Sequence, residues 1–141
     1  MKYIILVALV VISASSTLHA QKNIPSQVVW NFEQKFPKAE NIHWDKENSS
    51  EYEAQFFWNG EQHSANFNTK GEWLETEAVI LFRELPDLVQ QSVLQSHKKE
   101  KIRLVARIEK AKGDTYYEIE IKQFFFSREV FYDSEGNEIK S

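Results

Sequence analysis

Histidine is the residue of widest chemical use in this chain, because it can act as a general base or a metal ligand near neutral pH. Outside the first twenty residues, His43, His63 and His97 fall in three different predicted elements. The sequence has no HExxH motif, no pair of histidines four residues apart and no cysteine, so the usual zinc sites are not predicted. His97 takes a core position of a predicted helix and His63 a cross-strand position, and we interpret both as packing residues.

Other signatures of catalysis are also missing from the sequence. It has no nucleophile elbow and no Ser–His–Asp order, and its four glycines all fall in predicted turns. The acidic segment 133–138 lacks the twelve-residue spacing of a calcium loop, and we interpret it as a hairpin turn. We therefore predict that the protein is not an enzyme and holds no metal or cofactor.

Aromatic residues are more numerous than a small core needs, with ten Phe, five Tyr and four Trp. Some of them fall outside the predicted core positions, on strands of opposite parity or beside turns. Exposed apolar side chains of this kind mark binding surfaces, where aromatic anchors contribute much of the affinity. The predicted anchors are Phe57, Trp58, Trp73 and Phe124.

A basic run lies in the second half of the chain, where residues 98–112 include seven Lys or Arg and two Glu. Arg103 and Arg107 share strand parity with Lys101, whereas Leu104 and Ala106 take the other side. The run is either a solvated strand face or a contact for an acidic protein surface or an anionic headgroup. We choose Arg103 and Arg107 as the charged contacts of the predicted site.

The first twenty residues are typical of a secretory signal peptide. Lys2 is followed by an apolar run from Tyr3 to Ile12, and Ala20 suits a cleavage site. The run is too short for the ~20 apolar residues of a membrane-spanning helix, although an uncleaved anchor is the alternative. We predict a periplasmic or secreted protein, cleaved near Ala20, with no membrane span after cleavage. The net charge of −4 argues against a nucleic-acid partner.

Two similar segments follow the leader, which predicts a repeat over residues 21–82 and 83–141. Tyr52–Phe56 matches Tyr117–Ile121, and Phe67–Leu74 matches Tyr132–Ile139, each at a distance of 65 residues. Each segment begins with a helix after a proline and continues as alternating strands. The predicted fold is α+β, a tandem repeat of one helix plus a four-stranded antiparallel meander, with the helices covering one face of the sheet. One continuous sheet and two separate sheets fit this pattern equally well.

The motifs of the first segment resemble the PepSY-like family of bacterial envelope proteins, which is related in fold to the β-lactamase-inhibitor protein. They are Phe36-Pro37-Lys38-Ala39-x-x-Ile42-x-Trp44, Tyr52-Glu53-Ala54-x-Phe56, Asn59-Gly60 and Phe67-x-x-x-Gly71-x-Trp73-Leu74-x-Thr76-Glu77. The resemblance covers residues 24–140. It implies an exported protein of tandem helix-and-sheet architecture, and it implies no established activity.

The sequence thus predicts an exported, non-catalytic module that binds a protein or peptide through the open face of its sheet, as an inhibitor or regulator. The alternative is an envelope sensor that binds a small ligand in a pocket between the copies, near His63 and Trp44. A hydrolase is the third interpretation. The identity of the partner and the oligomeric state are left open.

Overall fold

Each of two helices is followed by four strands in a computed structural model that describes residues 24–123 and 126–139. The predicted signal peptide and Phe124 lie outside the described residues. The elements of the first half are α1 (Ser26–Lys35), β1 (Glu40–Lys46), β2 (Glu51–Trp58), β3 (Glu61–Asn68) and β4 (Trp73–Val79). After a 3-10 turn at Phe82–Glu84 come α2 (Asp87–Ser96), β5 (Lys101–Lys110), β6 (Thr115–Gln123), β7 (Phe126–Asp133) and β8 (Glu138–Ile139).

The strands form one antiparallel sheet of eight strands in the order β1 to β8. Its two halves are joined by direct pairing of β4 with β5, in which Val79 lies opposite Ala106. The sheet is therefore continuous, and this settles the question that the sequence left open. An α+β fold with two helices and an antiparallel sheet is confirmed.

Both helices pack on the same face of the sheet. Val28 and Phe32 of α1 are buried against one core cluster, and Val89 and Val93 of α2 against a second one. The two clusters share a face because the cross-strand pairs run from Phe56 through His63 to Ala78. Side chains of directly opposed residues point to the same side of a sheet. None of the helices in the described part of the chain is long and apolar enough to cross a membrane.

The two core clusters differ in chemistry. Under α1 the core is aromatic, and the ring of Phe32 lies edge-on to Phe56 and Trp44, with centroids 4.8 and 5.2 Å away. Under α2 the core is largely aliphatic, with residues such as Ile119 and Val130. Edge-to-face aromatic pairs stabilise a core beyond their buried area.

Tight turns after β3 and β7 press against the two helices. A Cβ atom on Gly71 would lie 2.9 Å from the Gln27 carbonyl oxygen, and one on Gly136 would lie 2.6 Å from that of Leu88. Asp133 closes the second turn, because its Oδ1 accepts hydrogen bonds from the backbone N–H groups of Glu135 and Asn137, both at 2.9 Å. The Asn137 side-chain amide also donates to Asp133 Oδ2 at 2.9 Å; this bond is the largest cause that holds the pKa of the Asp133 carboxyl below its usual value, and the backbone bonds add to it. The interpretation of this segment as a hairpin turn is confirmed.

Candidate functional site

The face of the sheet opposite the helices, here called the open face, is covered by neither helix. Strand alternation places on it Phe57 of β2, Asn66 of β3, Ala106 of β5 and Phe131 of β7. The ring of Phe57 is 45% exposed. The open face therefore combines apolar side chains with strands that no described element shields.

Six carboxylates of the open face form what we call the acidic patch. Its members lie on β2, β4, β6 and β7: Glu53, Glu75, Glu77, Glu118, Glu120 and Glu129. Two cations contact its borders. The Lys110 ammonium is ion-paired with Glu75, and the Arg103 Nε atom lies 3.9 Å from the Glu120 carboxylate. The patch as a whole carries a marked excess of negative groups.

Two members of the acidic patch are buried without a partner. Glu118 is 3% exposed and Glu77 is 9% exposed, and within the described residues neither carboxylate accepts a hydrogen bond or forms an ion pair. Glu118 lies opposite Ala106 and Phe131, neither of which offers a donor from its side chain. Burial of a carboxylate without a donor disfavours its charged form.

Burial and like charge raise the pKa values of this patch. Burial raises the pKa of Glu118 to about 8, and the neighbouring Glu77 and Glu129 charges add to the effect. Burial also raises the pKa of Glu77 to about 7, with further contributions from Glu53 and Glu75, while Lys110 acts in the opposite direction. Both groups therefore change protonation near neutral pH.

Asn66 adds an unsatisfied acceptor to the same surface. It lies on β3 directly between Glu53 of β2 and Glu75 of β4. The side chain is 9% exposed, and its Oδ1 atom is buried without a hydrogen-bond donor. Buried acceptors are nearly always paired, so this atom marks a position where a donor is missing.

The predicted aromatic anchors are divided between the two faces. Phe57 lies on the open face as expected. Trp58 and Trp73 do not, and their placement on a shared open face was wrong. The Trp58 indole N–H donates to the Pro37 carbonyl oxygen at 3.0 Å, and its ring packs on Phe36, because strand alternation puts residue 58 on the side of the core.

Trp73 is turned to the helix side by a register shift between β3 and β4, which places it opposite the buried Phe67. Its indole N–H donates to the Thr76 hydroxyl at 2.8 Å, and the Lys35 ammonium lies 3.5 Å from its ring centroid. The fourth predicted anchor, Phe124, lies outside the described residues.

The predicted charged contacts are also separated. A register shift in β5 between Ile102 and Leu104 breaks the alternation that was expected to keep Arg103 and Arg107 together. Arg103 lies near Glu120 of the acidic patch, whereas Arg107 pairs with Ala78 and so lies on the helix side. The expectation that both arginines share one face was wrong, because a bulge changes which side each residue of a strand faces.

A cavity of about 160 Å³ lies on the helix side where the two halves of the sheet meet. It is lined by Lys35, Phe36, Trp58, His63, Thr76, Ala78, Arg107 and Glu109. The pocket predicted near His63 is therefore present, but Trp44 does not line it. His63 is buried and stacks on Phe56, with ring centroids 5.6 Å apart.

His97 belongs to a hydrogen-bonded network at the end of α2. Its Nδ1 atom lies 2.5 Å from the Glu100 carboxylate and its Nε2 atom 3.0 Å from the Tyr132 hydroxyl. Tyr132 is almost completely buried in the core. The network joins the end of α2 to β7, and His97 is buried against the core, as its predicted core position requires.

The described part of the chain has no arranged metal site. No group of three or more His, Cys, Asp or Glu residues there is arranged to hold an ion, and this includes the acidic patch. Sequence reasoning missed the patch, although a signal was present. Glu75 and Glu77 share strand parity, as do Glu118 and Glu120, and each pair alternates with residues of the core side.

Comparisons with solved structures show the fold. A DUF2874 family protein from Bacteroides ovatus is similar over 82% of this chain and 84% of its own, with a TM-score of 0.75 and 23% identity. A structure from Bacteroides eggerthii described as "putative periplasmic proteins" gives a TM-score of 0.77 at 18% identity, over 82% and 86% of the two chains. A BLIP-like protein from Bacteroides fragilis gives a TM-score of 0.70 at 18% identity, over 81% and 82%.

A search of curated proteins found no match. The family described as "Putative beta-lactamase-inhibitor-like, PepSY-like" matches residues 50–140, which is more than half of the chain. The match begins one residue before β2 and extends beyond β8, so it includes the strands that carry the acidic patch. The chain belongs to this PepSY-like family.

Proposed function

We propose that this protein is a non-catalytic binding module that engages a protein or peptide through the open face of its sheet, as an inhibitor or regulator of that partner. The observation that carries the proposal is the uncovered open face itself. Antiparallel sheets commonly keep one face in water, and that face is then polar. Here it includes the exposed ring of Phe57 and the partly exposed Tyr116 and Phe131. Apolar groups of this kind on an uncovered face favour a docking surface.

The comparisons support a binding role over a catalytic one. The family is described as inhibitor-like, and the Bacteroides fragilis relative as BLIP-like. Inhibitors act by binding another protein. An exported location is supported by the leader-like sequence of residues 1–20 and by the description of the Bacteroides eggerthii relative as periplasmic. We place the protein in the periplasm or outside the cell.

We also propose that the two halves of the chain are copies of one unit, residues 21–82 and 83–141. Each half of the described chain is a helix followed by four strands. Gly71 and Gly136 make the same close approach to α1 and α2. A duplicated unit would explain why the corresponding turns both place a glycine against a backbone carbonyl of the helix.

The test is to capture a partner from the envelope fraction with purified protein. The full-length protein is expressed, and its wild type is compared with two matched variants. In the open-face variant, Phe57→Ala is combined with Tyr116→Ala. In the control, Trp30→Ala is combined with Leu94→Ala, which removes exposed apolar groups from the two helices. Circular dichroism first establishes that each variant is folded.

We expect a protein from the envelope fraction to be recovered by the wild type and the control. The open-face variant should retain about a tenth of that binding or less, as is usual for the loss of aromatic anchors. Binding of the purified partner is then measured by calorimetry. Equal affinity for both variants, or loss only in the helix variant, would contradict the proposal.

The cavity supports a second candidate, a sensor of small carboxylate ligands. It brings together Lys35, His63 and Arg107 in a volume of about 160 Å³, and a bound carboxylate would replace Glu109 as the partner of Arg107. In this candidate function, Trp58 and Arg107 would contact the ligand as residues of the cavity lining. The expected result is a rise in melting temperature with one member of a panel of small carboxylates, abolished by Arg107→Gln. No rise with any panel member would remove this candidate.

A further inference from the structure

We propose that the partner carries a cationic segment, and that a Lys or Arg side chain of this segment docks on the acidic patch between Asn66 and Glu118. This inference rests on the proposed function and names the chemistry of the partner. It is carried by three features of the described residues: an acceptor without a donor, two buried carboxylates without partners, and a local excess of negative groups.

The first feature is the row formed by Glu53, Asn66 and Glu75. These residues are directly opposed on three neighbouring strands, and side chains in such positions lie ~5 Å apart at Cβ. The buried Asn66 Oδ1 atom has no donor. Its two neighbours are carboxylates, which when ionised are acceptors only. A ligand that completes this row must therefore supply hydrogen-bond donors, and next to two carboxylates a positive charge is favoured.

The second feature is the pair Glu77 and Glu118 around Ala106. Glu118 is directly opposite Ala106, and Glu77 is opposite Ile108, the next residue of β5 on this face. Ala106 is completely buried although no helix lies on its side. The longer side chains around it must cover it, and the Glu118 side chain directly opposite is one of them.

The third feature is the position of the cations already present. Lys110 is bound to Glu75 on one border of the patch and Arg103 lies near Glu120 on another. Neither is paired with Glu77 or Glu118. An ammonium group offers three donors and a guanidinium five, and neither has an acceptor. Lys and Arg side chains of one segment thus supply the donors that Asn66, Glu77 and Glu118 lack, whereas the described carboxylates are not arranged as a metal site.

The proposal predicts that binding strengthens as pH rises. Glu118 faces Glu75 and Glu77 of β4 and Glu129 of β7, and has Glu120 beside it on β6. Glu77 faces Glu53 of β2 as well as Lys110 of β5. At low pH the two buried carboxyls are protonated and attract a cation weakly. Above their pKa values of about 7 and about 8 they are ionised, and the cation is held by charge-assisted hydrogen bonds.

The probe is an array of short arginine-containing peptides, each paired with a twin in which citrulline replaces every arginine. Citrulline keeps the shape and most donors of arginine but has no charge. Affinities are measured by fluorescence anisotropy with the full-length purified protein. The test variant is Glu77→Gln with Glu118→Gln. The control, Glu33→Gln with Glu135→Gln, removes the same charge from exposed positions on α1 and in the last turn.

We expect wild type and control to prefer arginine peptides over their twins by ~10-fold or more. The preference should disappear in the test variant, and wild-type affinity should rise between about pH 6 and about pH 9. The pH profile requires no variant, so it holds even if a substitution disturbs folding. Absence of any preference for arginine, or the same preference in the test variant, would overturn the inference. Peptides bound without regard to charge but lost on Phe57→Ala would leave the proposed function standing while this inference fails.

Discussion

The two faces of the sheet are made by alternate residues of the same strands, yet they have opposite effects on stability. Ile119 and Glu118 are neighbours on β6 and both are almost fully buried. Ile119 packs in the core under α2, where burial of apolar area is favourable. Glu118 is buried on the open face without a partner, which costs free energy. The comparison teaches that stability resides on the helix side, while the open face retains groups that are better suited to binding than to folding.

The comparison is tested most strongly by Phe32→Ala on the helix side. Phe32 is buried at the centre of the aromatic core and contacts four other rings. We expect the free energy of unfolding in urea to fall by about 3–5 kcal/mol, because a large cavity replaces the ring. Phe57→Ala on the open face is the control and should cost less than about 1 kcal/mol. Similar losses for both would remove the distinction between the faces.

The free-energy cost of burying carboxylates on the open face should appear as a dependence of protein stability on pH. The pKa values of Glu77 and Glu118 are raised in the folded state, so that state holds more protons than the unfolded chain between about pH 4.5 and about pH 8. The free energy of unfolding must therefore fall as pH rises through this interval, by up to about 1.4 kcal/mol per pH unit for each of the two groups.

Glu77→Gln combined with Glu118→Gln should flatten this slope and raise stability at about pH 9. Urea denaturation across the pH range measures both effects. Glu33→Gln with Glu135→Gln serves as the control and should leave the slope unchanged. A double variant that keeps the full slope would show that other groups are responsible.

Gly136→Ala tests the contact between a turn and its helix. The new methyl group would lie 2.6 Å from the Leu88 carbonyl oxygen, at a backbone φ of +82°. We expect a loss of about 2–3 kcal/mol, in part from the left-handed conformation and in part from displacement of α2. Gly60→Ala has almost the same φ of +84° with nothing within 4 Å. It should cost only about 1 kcal/mol, and thermal melting of both variants separates the two contributions.

The smallest expected effect is that of a substitution at Trp73, whose ring packs on the helix side of the sheet and not on the open face. Trp73→Phe removes the hydrogen bond to Thr76 and weakens the contact with the Lys35 ammonium. The expected loss is about 1 kcal/mol. Trp30→Phe, at an exposed position of α1, should be close to neutral. If Trp73→Phe left the free energy of unfolding unchanged, the contacts of Trp73 on the helix side would not contribute to stability.

Much of the architecture could be predicted because it follows from local patterns. Both helices begin after prolines and bury the expected faces. The sequence pattern of the second half predicts a strand over Lys101–Lys110, and β5 has these bounds. The hairpin formed by β6 and β7 was less well predicted. Its return strand is predicted over Arg128–Asp133, whereas β7 begins at Phe126, because no Asn-Gly pair marks the turn. Register shifts in β3–β4 and β5–β6 turned Trp73 and Arg107 to the helix side, and nothing in the alternation of the sequence reveals such shifts.

By itself, the sequence determined the order of the elements and the face that each helix buries, because the spacing of apolar residues records the period of each element. It also contained family motifs between Tyr52 and Glu77, which lie within the family match over residues 50–140. Only the tertiary structure decided that β4 pairs with β5 and that carboxylates from four strands meet on one surface. The physical reason is that a buried carboxylate without a partner depends on neighbours distant in the chain. Strand parity can place Glu77 and Glu118 on a face, but only the packing of that face buries most of their surface.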